Sequence, residues 1–180
     1  TVLYAPTFRI KYIYQEYDLF YKYGWDLKKI ESFIDKQNIK LIIKAHPNLI
    51  IPNSFILETK NSKNIELIFD SKTPVQEILS KTDILITDYS GIYIDFLHLK
   101  RPIIMAPFDK RYFLKNEGLS YDYEKVTPGI SINNWESFMK IRFDDLIYDR
   151  KHQKVFDFFD VYQDGNNSKR VYESILKICF

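Results

Sequence analysis

Five short apolar runs recur along this chain and restrict what it can fold into: "TVLYAP" (1–6), "KLIIKA" (40–45), "IELIFD" (65–70), "DILITD" (83–88) and "RPIIMAPF" (101–108). Most are near-continuous rather than alternating, the pattern of parallel strands covered on both faces. Segments of helical period separate several of them. Trp25 to Gln37 carries Leu27, Ile30, Phe33 and Ile34 on one face, and Ser90 to Leu99 follows the fourth run. Residues 74–81 begin with Thr73 as N-cap and Pro74 at the first helical position. Strand and helix in alternation call for a parallel sheet with right-handed crossovers. Three further helical stretches, near 134–147, 150–160 and 168–178, close the chain, the last preceded by the turn "DGNNSKR" with Ser168 as its cap. The expected fold class is therefore α/β: a Rossmann-like parallel sheet with flanking helices, in one domain over residues 1–180.

The length and an apolar content of 46% suffice for a real core. A net charge of +2 gives no support to nucleic-acid binding, and no apolar stretch approaches a transmembrane span. The lone Cys179 excludes an internal disulfide and fits a reducing compartment. Thr1 leads straight into an apolar run without initiator Met or leader, so the chain reads as a domain cut from something longer. The aromatic stretch "YIYQEYDLFYKYG" (12–24) fits neither period. A loop and short helix packed on the domain account for it. The alternative is a surface that meets another half, a polymer or a membrane, although few basic residues accompany the aromatics.

The candidate chemistry lies at strand ends, because ligands of open parallel sheets bind beyond the carboxyl edge. In "LITDYSGIYIDF" (85–96) a buried strand gives way to Thr87, Asp88, Tyr89, Ser90 and Gly91 before a helix begins. Ser90 is a favourable N-cap, and Gly91 allows close approach of backbone N–H groups. The helix N-terminus favours an anion, above all a phosphate. Asp95, one and a half turns into the helix, is placed to accept from a ribose diol. Local capping and hydrogen bonding within the turn are the alternative account of the same residues. In "KAHPN" (44–48) Pro47 stops a strand and fixes the exit of His46, flanked by Lys44, as a phosphate-facing imidazole or a structural one. In "YAPTFR" (4–9) Pro6 leaves Thr7 and Arg9 at a third strand end, Arg9 being solvated or paired with a carboxylate. The three His lack ligand-like spacing with Cys, no Ser/His pair forms a recognisable elbow, and P-loop and GxGxxG are both missing. No cofactor or metal is expected.

"LYAPTFR", "KAHPN", "DILITDYSGIYIDFLHLKRPIIMAPFD", "SYDYEKVTPG" and "DGNNSKR" occur in the order seen in CDP-glycerol glycerophosphotransferases, the teichoic-acid and capsule polymerases. The chain resembles that family from Tyr4 to Arg170. The resemblance implies the C-terminal, nucleotide-binding half of a GT-B enzyme, whose N-terminal half supplies the other wall of the cleft and the general base. It implies a CDP-glycerol or related CDP-alditol donor and a polyol-phosphate acceptor whose hydroxyl attacks phosphorus and releases CMP. The implied location is peripheral, on the cytoplasmic face of the cell membrane. His46 would stabilise charge on the pyrophosphate, Ser90 and Gly91 would hold a phosphate, and Thr7 and Arg9 would face the cleft. Asp95 corresponds to the acidic residue that holds ribose in many GT-B transferases. Lys44, Thr87, Asp88 and Asp109, in the same motifs, complete the substrate-binding set. Where the family commonly has a second Ser after "TDYS", this chain has Gly91. Two other functions remain compatible with these residues: a GT-B glycosyltransferase using a nucleotide sugar, and a non-catalytic Rossmann-like interaction domain.

Overall fold

The five apolar runs become β1 (Val2–Ala5), β2 (Leu41–Lys44), β3 (Ile65–Ile68), β4 (Ile84–Thr87) and β5 (Ile103–Met105), joined at the edge by the two-residue β6 (Ile130–Ser131). The structure is a computed structural model and describes residues 1–10, 16–69 and 73–179, without the side chain of Cys179. All five neighbouring pairs are parallel, in the order β3-β2-β1-β4-β5-β6. β1 is thus first in sequence and central in space. Val2 and Tyr4 pack into one apolar layer, Leu3 and Ala5 into the opposite one. Burial on both faces is the physical reason the strands read as continuous apolar runs.

The first layer is aromatic. Phe20 lies 3.7 Å from Phe55 between ring centroids, and Trp25 and Trp135 meet edge to face at 4.8 Å. α1 (Leu27–Lys36) adds Ile30 and Ile34, and its N-cap Asp26 accepts from the Lys29 N–H. Each such side chain, fully buried, contributes roughly 1.5–3 kcal/mol. Of the stretch 12–24, residues 16–24 pack as a loop and a 3-10 turn (Tyr21–Tyr23), with Tyr17, Leu19 and Phe20 buried; residues 12–15 lie outside the described ones. The second layer joins α3 (Val75–Ser80), α4 (Ile92–Leu97) and α8 (Arg150–Phe159) through Ile78, Phe96 and Phe156. His152 is buried there for a structural purpose: its Nδ1 closes a capping box with Asp149, and its Nε2 accepts the Ile103 N–H at 3.2 Å.

Several boundaries depart from expectation. α3 starts after Pro74, whose backbone is extended (φ −59°, ψ 132°), so Pro74 rather than Thr73 occupies the cap. α4 starts at Ile92 after Gly91; Ser90 sits one residue earlier than a cap and still accepts the Ile92 N–H at 3.3 Å. The predicted helix 134–147 breaks into α7 (Trp135–Phe138) and a 3-10 turn (Phe143–Asp145), with Trp135, Phe138 and Ile141 buried in the core. α9 (Asn167–Cys179) begins before Ser168, which therefore lies in the first turn. The short helices α2 (Asn53–Thr59), α5 (Lys110–Asn116) and α6 (Tyr123–Val126) were not foreseen.

Candidate functional site

β1 and β4 are adjacent, yet the chain leaves β1 toward β2 and leaves β4 toward β5. Loops that part company at the carboxyl ends of neighbouring strands open a crevice, and that switch point is where open α/β sheets bind ligands. A cavity of about 410 Å³ lies here, walled by Pro6 after β1, Lys44 and His46 after β2, Pro74 before α3, and Ser90 and Asp95 around α4. Three strand ends and two helices thus bring together four of the residues singled out in the sequence: Lys44, His46, Ser90 and Asp95.

The imidazole of His46 is oriented from two sides. Its Nδ1 accepts the Asn48 N–H at 3.1 Å, which in the neutral ring leaves the proton on Nε2 as a donor. Its face stacks on Phe8, with ring centroids 4.4 Å apart and planes inclined by 28°. Burial holds its pKa below the ordinary histidine value. The arrangement is therefore a neutral donor. Phe8 went unnoticed in the sequence. Its only signal was its place inside "APTFR", between two polar candidates.

The remaining candidates lie beneath the crevice. Arg9 is 1% exposed; its Nη2 donates to Asp88 at 2.9 Å and to Asp109 at 2.8 Å, and its Nε donates to Asp109 at 2.7 Å. A third Arg9 donor reaches the Thr7 carbonyl. The hydroxyls of Tyr17 and Tyr89 donate to Asp109 at 2.8 and 3.1 Å. Asp88 Oδ1 accepts the Thr7 and Tyr89 backbone N–H groups at 2.8 and 2.6 Å. Burial would raise the Asp109 carboxyl, but the Arg9 guanidinium and the tyrosine hydroxyls hold it below the usual carboxylate range. Burial pushes the Tyr17 and Tyr89 phenols up, and the nearby Asp109 carboxylate pushes them further. Thr87, also buried, donates to the Ala5 carbonyl at 2.7 Å.

In the structure Arg9, Thr87, Asp88 and Asp109 form a buried strut between the ends of β1, β4 and β5, apart from the cavity that Lys44, His46, Ser90 and Asp95 line. Their hydrogen-bonding groups are turned on one another and on neighbouring backbone. Thr7 shares the edge with Ser90 but does not line the cavity, and its hydroxyl is buried without a partner among the described residues. Gly91 is exposed at the turn. A Cβ there would meet nothing within 4 Å and its φ is negative, so the backbone does not require glycine. α4 spans 6 residues, so its dipole is small and an anion would depend on individual N–H and side-chain donors. Among the described residues no group of three His, Cys, Asp or Glu is arranged to hold a metal ion.

The geometry has close parallels. A profile of the family described as CDP-glycerol:poly(glycerophosphate) glycerophosphotransferase matches residues 1–177. The teichoic acid poly(glycerol phosphate) polymerase of Bacillus spizizenii (strain ATCC 23059 / NRRL B-14472 / W23) is 30% identical over 179 residues, covering 97% of this chain and 44% of the relative. The teichoic acid ribitol-phosphate polymerase TarL of Staphylococcus aureus (strain NCTC 8325 / PS 47) is 27% identical, with 97% of this chain and 30% of the relative covered. A solved structure of the wall teichoic acid polymerase TagF, a histidine variant, superposes with a TM-score of 0.68 at 23% identity over 98% of this chain and 43% of that one. The chain spans less than half the length of each of these proteins. With a profile match across nearly every residue, the chain belongs to the CDP-glycerol:poly(glycerophosphate) glycerophosphotransferase family.

Proposed function

We propose that these residues form the donor-binding half of a GT-B polyol-phosphate transferase. The convergence of Lys44, His46, Ser90 and Asp95 on one cavity at the switch point carries this reading. Lys44 and His46 Nε2–H face the pyrophosphate of a CDP-alditol, Ser90 and the amides that follow it hold a phosphate, and Asp95 accepts from the ribose diol. The acceptor hydroxyl of a growing polyol-phosphate chain attacks the alditol-bearing phosphorus. A new P–O bond forms, the pyrophosphate P–O bond breaks, CMP leaves, and the hydroxyl proton passes to a base outside these 180 residues. The protein's task in such a reaction is positioning and charge stabilisation rather than covalent chemistry. His46 supplies an oriented donor where negative charge builds on the departing CMP.

An exposed apolar side of α9 supports a covering partner half, and the relatives' teichoic-acid names support a place at the cell membrane, peripheral on its cytoplasmic face. Val171, Tyr172, Ile175 and Ile178 stand exposed along α9. Among the described residues no helix is long and apolar enough to cross a membrane. The relatives' names, which include both glycerol-phosphate and ribitol-phosphate polymerases, support an alditol donor without selecting one.

Titration of the chain with CMP and CDP-glycerol tests the donor site: saturable binding that weakens on Asp95→Ala is expected, and no binding of either overturns it. In the longer enzyme His46→Ala should lower kcat by about 10²-fold, the scale for one oriented donor, with a smaller change in donor affinity. Unaltered turnover would return His46 to a structural part.

A further inference from the structure

A second cavity, of about 220 Å³, adjoins the same β4–α4 turn and shares no lining residue with the first. Ser90 faces one cavity and Gly91 the other. The stretch "SYDYEKVTPG", to which the donor site assigns no part, builds much of this second wall through Ser120, Tyr121 and Tyr123. Tyr93 and Phe159 complete it from α4 and α8.

The lining has a definite chemistry. It includes no Asp, Glu, Lys, Arg or His. Lys110, which passes 5.2 Å from the centre of the Tyr123 ring, is paired with Glu124. A phosphate would therefore lose its hydration here without gaining a countercharge. The cavity is also smaller than the roughly 300–1,000 Å³ typical of sites for drug-sized ligands, so a nucleotide does not fit.

Its hydroxyls divide into two sets. Tyr123 donates to the Asp88 carbonyl at 3.1 Å, and Thr127 to the Tyr123 carbonyl at 2.7 Å. Tyr93, only 6% exposed, and Tyr121 make no hydrogen bond to any described residue. Burial, with Tyr121 nearby, pushes the Tyr93 hydroxyl up to about 12, so it remains a donor throughout the neutral range. The Tyr93 hydroxyl is not sealed off, so it opens into the cavity, where water or a bound hydroxyl completes its hydrogen bonding.

We propose that this cavity binds one neutral polyhydroxylated unit, a single sugar ring or a short polyol, beside the donor's phosphates. The C–H faces of such a unit carry partial positive charge and lie on the negative faces of the aromatic rings. Its hydroxyls pair with Tyr93 and Tyr121. In the transfer reaction this is the place for the acceptor-end unit. That role rests on the transferase reading; the binding does not.

The test is NMR on the chain with ¹³C-labelled tyrosine rings and ¹⁵N-labelled backbone and histidine. Glycerol, ribitol and methyl α-D-glucopyranoside serve as separate probes, and CMP as the control for the first cavity. At least one neutral probe should shift the Tyr93 and Tyr121 rings saturably. Tyr93→Phe should weaken that probe about fivefold, the loss of one neutral hydrogen bond, while leaving the CMP response at His46 and Ser90 intact. Should Tyr93→Phe not fold, the exposed Tyr121→Ala carries the same test. The proposal is overturned if none of the three probes shifts these rings, if both variants bind as the parent does, or if CMP itself occupies this cavity. A polyol response at Tyr93 without a CMP response at His46 would support this site and remove the donor reading.

Discussion

Arg9, Asp88 and Asp109 form one polar cluster at the carboxyl edge of the sheet, and Lys44, His46, Ser90 and Asp95 form another. Both come from strand-end motifs of the same appearance. The first is sealed: each carboxylate oxygen has its donors inside the protein, and solvent does not reach the pair. The second is open, and among the described residues the His46 Nε2 and the Asp95 carboxylate have no hydrogen-bond partner. The difference teaches that charge at a strand end has two uses. One fixes where the loops are; the other meets the ligand those loops surround.

The hardest test of that division is Arg9→Ala. It strands two buried carboxylates and should cost about 3–5 kcal/mol in urea unfolding. His46→Ala should cost no more than about 1.5 kcal/mol, the most its stack on Phe8 contributes. A cost at Arg9 below about 1 kcal/mol would erase the contrast. Acid sharpens it next. The Asp109 pKa is lowered on folding, so its contribution is fully present above the unfolded carboxylate value of about 3.9 and disappears as pH falls through the folded one. Asp109→Asn should therefore flatten the fall in stability below about pH 4, and an unchanged slope would remove the strut from the account of acid unfolding.

Between the clusters sits Phe8, whose loop is tied to Asp88 through the Thr7 N–H and whose ring stacks on His46. Phe8→Leu keeps the bulk and loses the flat face. It should lower stability in a urea melt by about 0.5–1.5 kcal/mol, the worth of an aromatic pair, and weaken CMP binding as the imidazole loses its orientation. Phe8→Tyr should restore binding; if both variants bind as the parent does, the stack does not orient His46. The smallest effect belongs to Gly91→Ser. With open space around its Cβ, it should change stability by less than about 0.5 kcal/mol, and a larger loss would mean that the turn needs the freedom of glycine.

The five principal strands were legible because burial on both faces leaves an unbroken apolar signature in residues such as Leu41–Ile43 and Leu85–Ile86. The open cluster was legible too, since Pro6 and Pro47 mark strand ends that parallel pairing brings to one edge. What escaped depends on distance along the chain. Nothing near Arg9 announces that its partner stands 100 residues away, so a buried strut and a solvated arginine look alike in one dimension. α5 and α6 are short and carry one and two buried residues, too few to print a period. β6 has two exposed residues and exists only because β5 offers it an edge.

The central position of β1 has a kinetic consequence. Its partner β4 follows 82 residues later, so the crevice between them cannot close until most of the chain has been searched. Such long-range pairing makes assembly slow and places the cavity among the late events. A nucleotide that recognises only the finished crevice cannot hasten folding, because its grip is absent from the transition state. It acts on the reverse step alone, lengthening the lifetime of the folded chain by slowing its unfolding.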